Sequence, residues 1–287
     1  MSKDEHSAYN YLRHTKKFPN VWCSGCGIGI VMSALIRAID RIGLAKDDVA
    51  VISGIGCTGR MPVYLDFNTM HTTHGRALAF ATGLKFARPE LKVIVIMGDG
   101  DALAIGGNHF IHAARRNIGL TAIVVNNSIY GMTGGQHSPT TPLGSRAATA
   151  PYGNIEPPFP VCERAAAAGA AYVARSTVYH AVELDRYIEQ AIRKNGFSLV
   201  EAVSYCHTTF GRMNKLGPAV EMMRRLKENS VTKAAAEKLA PSERPDVIVR
   251  GVFRDEDRPE YTALYDEVVR RAQGAAGASV RSAGGAG

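Results

Sequence analysis

One stretch of the sequence concentrates side chains that can bind cations and phosphate. An apolar run, Val93, Ile94, Val95, Ile96 and Met97, turns through Gly98, Asp99, Gly100 and Asp101. A second apolar run, residues 121–125, delivers Asn126 and Asn127. Short β-branched runs bounded by turn residues predict buried parallel strands. An acid ending one strand and amides ending the next share one edge of a parallel sheet, the edge where α/β folds bind ligands. Asp99 and Asn127 are therefore candidate oxygen ligands for a hard cation such as Mg2+, which usually arrives with a phosphate group. Gly98 and Gly100 let backbone N–H groups approach that phosphate. A helix start at Ala102 and Leu103 would add its dipole.

The cysteines form a second group. Cys23 and Cys26 occupy one Gly-containing turn at C-x-x-C spacing, and Cys57 and Cys206 each follow a predicted strand. If those strands are parallel, Cys57 and Cys206 lie on the ligand edge. Four thiolates in this arrangement suit either a structural zinc or a [4Fe–4S] cluster. Cys162 has no such context and reads as a buried, inert thiol. Arg60, three residues after Cys57, either clamps a substrate carboxylate or sits on the surface. His74 and Arg76 precede a helix and either contact a bound anion or cap the helix. His109 and His112 read as structural.

The elements that must position these groups alternate. Strands are expected at 49–53, 93–97, 121–125, 171–175 and 198–204. Helices are expected at 28–42, from Arg76 through about Ala87, and at 103–117, 165–171 and 180–194. Gly43 and Pro89 are plausible stops. This alternation predicts one α/β domain over residues 1–215, a parallel sheet covered by helices on both faces. A long irregular region, 128–160, is rich in Gly, Pro, Thr and Ser; such a loop inside a compact domain is usually functional. Residues 216–272 are expected to form a helical extension: a charged helix or helix pair at 219–239, a linker at 241–245, a possible edge strand at 247–253 and a last helix at 261–272. Residues 273–287 are expected to be disordered.

Composition narrows the function classes. A 46% hydrophobic content supports an ordinary core. No apolar run is long enough to span a bilayer, and the N-terminus lacks the apolar centre of a signal peptide, so a cytoplasmic protein is expected. The net charge of +8 is spread without a basic block, and no nucleic-acid motif accompanies it. Five cysteines, an odd number, argue against a disulfide framework.

The Gly-Asp-Gly turn followed by Asn-Asn resembles the diphosphate-binding motif of thiamine diphosphate enzymes. With residues 22–27, 54–60, 74–85, 106–117 and 126–142, the chain resembles the β subunit of 2-oxoacid:ferredoxin oxidoreductases over about residues 10–215. The resemblance implies that Asp99, Asn127 and the carbonyl of Ile129 bind Mg2+, which holds the diphosphate. It implies a cofactor pocket of Gly56, Cys57, Thr58, His74, Gly98, Gly100, Asp101, Tyr130, Gly131, Met132 and Thr133, with Arg60 and His74 as catalytic residues. Cys23, Cys26, Cys57 and Cys206 would ligate one [4Fe–4S] cluster. The implied reaction is oxidative decarboxylation of a 2-oxoacid to an acyl-CoA, with coenzyme A as co-substrate and ferredoxin as electron acceptor. Run backwards, it fixes CO2. The segment Gly131-Met132-Thr133-Gly134-Gly135-Gln136 resembles members acting on 2-oxoglutarate; pyruvate and branched-chain oxoacids are the alternatives. The carboxylate that activates thiamine belongs to a pyrimidine-binding domain on a partner α subunit in this family, so an α2β2 assembly is implied. A non-redox thiamine enzyme with structural zinc, and a non-catalytic scaffold, are the competing readings.

Overall fold

The computed structural model describes residues 7–15, 19–239 and 247–283. In chain order the elements are α1 (Ile28–Ile42), β1 (Val49–Ser53), β2 (Asn68–His71), α2 (Ala77–Ala87), β3 (Lys92–Gly98), α3 (Gly107–Arg116), β4 (Leu120–Asn126), β5 (Ile129–Tyr130) and β6 (Gln136–His137). There follow α4 (Val161–Ala168), β7 (Tyr172–Thr177), α5 (Ala181–Arg193), β8 (Ser198–Val203), α6 (Ala219–Glu228), β9 (Ser230–Thr232), α7 (Lys233–Ala236), β10 (Ile248–Asp255) and α8 (Tyr261–Ala283). Eight strands form one sheet in the order β2-β1-β3-β4-β8-β7-β10-β9, and β5 and β6 form a separate small hairpin. From β2 to β7 every pairing is parallel; β10 runs antiparallel to β7, through a register shift between Val252 and Arg254.

The two-residue period of the strands divides the core. Ile94 and Ile96 of β3 join Ile123 and Val125 of β4 on one face, under Val31, Leu35 and Ile39 of α1 and Leu184, Ile188 and Ile192 of α5. Val93, Val95 and Met97 face the other side, against Leu78 of α2, Phe110 and Ala114 of α3 and Ala165 of α4. Each such aliphatic side chain, removed from water, contributes roughly 1.5–3 kcal/mol. The α1–α5 pair is also clamped by Arg37, which donates Nε and Nη2 to the two oxygens of buried Asp185 at 2.6 and 2.9 Å. Gly43 ends α1 in the left-handed region at φ 76°, the expected stop.

The strands expected at 49–53, 93–97, 121–125, 171–175 and 198–204 all form, with ends shifted by up to two residues. Several expectations are corrected. The helix expected over 103–117 begins as α3 at Gly107; a single π-helical turn, Asp101–Ile105, precedes it. Packing around this turn is close: a Cβ on Gly106 would lie 2.4 Å from the Asp101 carbonyl, and one on Gly75 2.3 Å from the Ile105 side chain. The dipole expected at Ala102 and Leu103 therefore belongs to that turn and not to the start of α3. The small-residue helix expected at 165–171 is α4, which starts at Val161 and stops at Gly169, φ 106°. Residues 219–239, expected as a charged helix or helix pair, form the pair α6 and α7, with the unexpected strand β9 between them, whose β-branched Val231 and Thr232 favour an extended chain. The strand expected at an edge is β10, inside the sheet between β7 and β9. α8 continues past the expected end at Ala272 to Ala283, through a stretch expected to be disordered, where alanines supply helix propensity. The expected linker at 241–245 lies outside the described residues.

Asn117 ties several of these pieces together. It ends α3 in the left-handed region at φ 54° and is 3% exposed. Its Oδ1 accepts the Phe197 N–H at 2.8 Å, and its Nδ2 donates to the Pro259 carbonyl at 2.9 Å. Asn117→Ala removes both bonds and strains the turn. Its urea unfolding free energy should fall by about 2–4 kcal/mol, and Asn117→Asp should recover part of the loss through the retained Oδ1.

Candidate active site and cysteine cavity

Because β1, β3, β4 and β8 are parallel neighbours, their carboxyl ends put four loops on one edge of the sheet. β1 leads into the loop of Gly54 to Arg60, β3 into Asp99, β4 into Asn127 and β8 into Cys206. A cleft forms there, lined by Ile55, Gly56, Cys57, Thr58, His74, Gly98, Asp99, Gly100, Asp101, Asn127, Ile129, Tyr130, Gly131, Met132 and Thr133. Every residue assigned above to the cofactor pocket or the Mg2+ is in that lining. Arg60 is not; it is exposed on the turn, its N–H donates to the Cys57 carbonyl at 3.3 Å, and its guanidinium makes no hydrogen bond or ion pair among the described residues.

Asp99 is 3% exposed, and burial pushes its carboxyl above the usual carboxylate range. Thr140 Oγ1 and Ser138 Oγ donate to its Oδ2 at 2.6 and 2.7 Å and pull the other way. Oδ1 receives no side-chain donor. Asn127 and Ile129 follow on the next strand end, separated by Ser128, which adopts the left-handed region at φ 63°. Thr141 Oγ1 donates to the Ser128 carbonyl at 2.7 Å and holds that turn. Asp99, Asn127 and Ile129 thus line one cleft with an acidic oxygen, an amide oxygen and a backbone carbonyl, the kinds of donor that a hard cation takes.

Asp101 organises the other wall. Its Oδ1 accepts from His74 Nδ1 at 2.7 Å, from the Gly75 N–H at 2.7 Å and from the Ile55 N–H at 3.3 Å. A carboxylate can only accept, so Nδ1 carries the proton and Nε2 is left without a protein partner. The second carboxylate oxygen of Asp101 is buried with no hydrogen-bond partner among the described residues. An orphaned buried oxygen beside a cleft is the kind of exception that functional sites carry. Tyr130 closes the floor: its hydroxyl donates to the Gly100 carbonyl at 3.0 Å, and a Cβ on Gly100 would lie 2.2 Å from the ring. Burial, with Asp99 and Asp101 nearby, pushes the Tyr130 hydroxyl up to about 12.

A second cavity adjoins the first. Cys23, Cys26, Cys57 and Cys206 all line it, with Trp22, Ile28 and Tyr205 among its apolar walls. The two cavities share Cys57, Asn127, Gly131 and Met132. Trp22 Nε1 donates to the Cys57 carbonyl at 2.7 Å and Tyr205 OH to the Gly25 carbonyl at 2.8 Å, so the C-x-x-C turn is pinned to two strand ends. The Thr208 hydroxyl lies 3.6 Å from Cys23 Sγ and 3.7 Å from Cys206 Sγ. Burial pushes the Cys26 thiol up to about 11, and the other three sulfurs act in the same direction. Among the described residues, no three His, Cys, Asp or Glu side chains lie close enough together to hold a single metal ion. Cys162, as expected, is elsewhere and fully buried, with its thiol donating to Glu201 Oε2 at 3.3 Å.

Ser138 and Thr140 are absent from the expected site. They sit in the irregular loop, and their types are common there; only the fold reveals that they meet Asp99. Ser138→Ala combined with Thr140→Val leaves the Asp99 carboxylate without its two hydroxyl donors. Mg2+ affinity, titrated with thiamine diphosphate present, should fall about 10–100-fold.

The comparisons agree with this geometry. Residues 47–202 match the family described as thiamine pyrophosphate enzyme, C-terminal TPP binding domain. The chain is 48% identical to the 2-oxoglutarate synthase subunit KorB of Methanothermobacter thermautotrophicus, over 99% of both chains. It is 57% identical to the KorB subunit of Archaeoglobus fulgidus, over 77% of this chain and 80% of that one. Among solved structures, a 2-oxoglutarate:ferredoxin oxidoreductase from Magnetococcus marinus, with 2-oxoglutarate, coenzyme A and succinyl-CoA bound, superposes with a TM-score of 0.82 at 32% identity, covering 94% of this chain and 92% of that one. A diphosphate-type cleft at the strand ends, in a chain related to these proteins from end to end, belongs to the thiamine pyrophosphate enzymes and, within them, to the KorB subunits of the 2-oxoglutarate synthases.

Proposed function

We propose that this chain is the β subunit of a 2-oxoglutarate:ferredoxin oxidoreductase, acting with an α subunit to convert 2-oxoglutarate and coenzyme A into succinyl-CoA and CO2. The observation that carries the reading is the shared wall of the two cavities, where Cys57, Asn127, Gly131 and Met132 separate a phosphate-and-cation cleft from a pocket of four thiols. The names of the relatives support the substrate. Bound thiamine diphosphate supplies the electron sink that decarboxylation of a 2-oxoacid requires.

The residues fit that group and its metal. Asp99, Asn127 and the Ile129 carbonyl would hold Mg2+, and Ser138 and Thr140 hold Asp99. Gly98 would leave the wall beside Thr58 open to a diphosphate, and Gly100 makes room for the Tyr130 ring. Gly56, Thr58, Tyr130 and Thr133 line the remainder. His74, oriented by Asp101, presents Nε2 as the polar group available to cofactor or substrate. Cys23, Cys26, Cys57 and Cys206 would ligate a [4Fe–4S] cluster, which would supply one-electron transfer towards ferredoxin. Arg60, outside the cleft, has no contact that supports a role as a carboxylate clamp. The α subunit supplies the activating carboxylate in an α2β2 assembly, and the reaction is reversible as CO2 fixation. We place the enzyme in the cytoplasm; among the described residues no helix is long and apolar enough to cross a membrane.

The co-expressed pair, purified without oxygen, should reduce ferredoxin or viologen with 2-oxoglutarate and coenzyme A, and this chain alone should not. Pyruvate or a branched-chain oxoacid as the preferred substrate would overturn the assignment of substrate; no CoA-dependent reduction with any 2-oxoacid would overturn the reading. Cys206→Ser should lose the brown colour and acid-labile sulfide, and zinc in place of iron in the wild type would remove the redox role. Arg212 and Lys215, exposed on the loop after Cys206, offer charge to an acidic carrier. Neutralising both should slow ferredoxin reduction several-fold at low salt and much less at high salt.

A further inference from the structure

β8 carries a carboxylate that the reading above does not use. Glu201 is 2% exposed and lies in mid-sheet, level with Val124 of β4 and Arg175 of β7. Its Oε2 accepts from Arg175 Nε at 2.6 Å and from the Cys162 thiol at 3.3 Å. That half of the carboxylate has a structural explanation, since a buried charge must be paired. The other half reaches towards the metal seat. Oε1 accepts from Asn126 Nδ2 at 2.8 Å, and Asn126 Oδ1 accepts the Ser128 N–H at 3.2 Å.

A carboxamide can lie either way round, but a carboxylate only accepts. Glu201 therefore draws Nδ2 towards itself and leaves Oδ1 for Ser128. Ser128 is the left-handed residue between Asn127 and Ile129. A serine in that region is held there by its surroundings, at a cost of order 1–3 kcal/mol. Thr141 holds its carbonyl and Asn126 holds its amide.

We propose that Glu201 is a positioning residue for the metal seat: through Asn126 it fixes the turn at Ser128, and with it the Asn127 side chain and the Ile129 carbonyl. The proposal rests on the reading of Asp99, Asn127 and Ile129 as the seat of Mg2+. It also gives the C-terminal strand a part in the site. Arg175 donates Nη1 to the Val249 carbonyl of β10 at 3.2 Å, and its guanidinium lies 4.8 Å over the Phe253 ring. β10 holds Arg175, Arg175 holds Glu201, and Glu201 orients Asn126.

The test is Mn2+ binding to the assembled α/β enzyme in the presence of thiamine diphosphate, measured by calorimetry. Glu201→Gln replaces the pure acceptor with a group that tolerates either orientation of Asn126. Asn126→Ala removes the link and leaves the Arg175 ion pair intact. Each should weaken Mn2+ binding about 10–100-fold, and the double variant should be little worse than either single one. If Glu201→Gln fails to fold, Asn126→Ala carries the test alone. Wild-type affinity in Asn126→Ala would overturn the proposal, because a purely structural Glu201 lowers the melting temperature without altering the seat. Fully additive losses would overturn the relay as well. A wild-type enzyme that binds no Mn2+ would overturn the metal seat and this proposal together; one that binds it normally while the variants do too would overturn this proposal alone.

Discussion

Asp99 is a carboxylate placed where water hardly reaches, at the end of the central strand β3. Burying an ionised carboxylate without partners costs many kcal/mol, and a protein ordinarily answers by neutralising it or by surrounding it with donors and cations. Here the hydroxyls of Ser138 and Thr140 supply part of that answer, and both come from the loop that follows β4. The loop is therefore obliged to fold back over β3. Its hairpin of β5 and β6, the left-handed Ser128 and the Thr141 bond are the local means of doing so.

The second constraint is that the cleft and the thiol pocket adjoin. Neighbouring strands meet it: β3 and β4 carry Asp99 and Asn127, while the flanking β1 and β8 carry Cys57 and Cys206. The C-x-x-C turn comes from outside the sheet and is fastened by Trp22 and Tyr205, whose polar atoms reach backbone carbonyls on the far side of the cavity. Two large aromatic residues in these positions wall the thiols with apolar surface and serve as tethers at the same time.

The sheet was legible because its central strands are continuous β-branched runs and its turns are rich in glycine. The position of the cleft followed from parallel order alone, since every strand end then falls on one edge. What escaped is instructive. β2 is short, polar and peripheral, with the sequence Asn-Thr-Met-His, and its strand character comes from pairing with β1. The π turn at Asp101 packs closely on Gly75 and Gly106, contacts that no periodicity encodes. Ser138 and Thr140 look like ordinary loop residues until the loop is placed over Asp99. Arg60 had a suggestive neighbour in Cys57, yet the 3-10 turn from Thr58 to Val63 carries it outward. Spacing brought the candidate residues to one cleft; the supporting hydrogen bonds depended on tertiary closure.

The order of the strands has a consequence for how the molecule is made. Cys23 and Cys26 emerge early in synthesis, Cys57 soon after, and Cys206 only once β8 has been completed. β8 then has to pair between β4 and β7, a closure between distant parts of the chain that is intrinsically slow. Until it does, three thiols share a partly formed cavity without their fourth. Any metal centre acquired there must be delivered to a nearly finished fold, and a nascent chain that met oxidant first would present those sulfurs to one another instead.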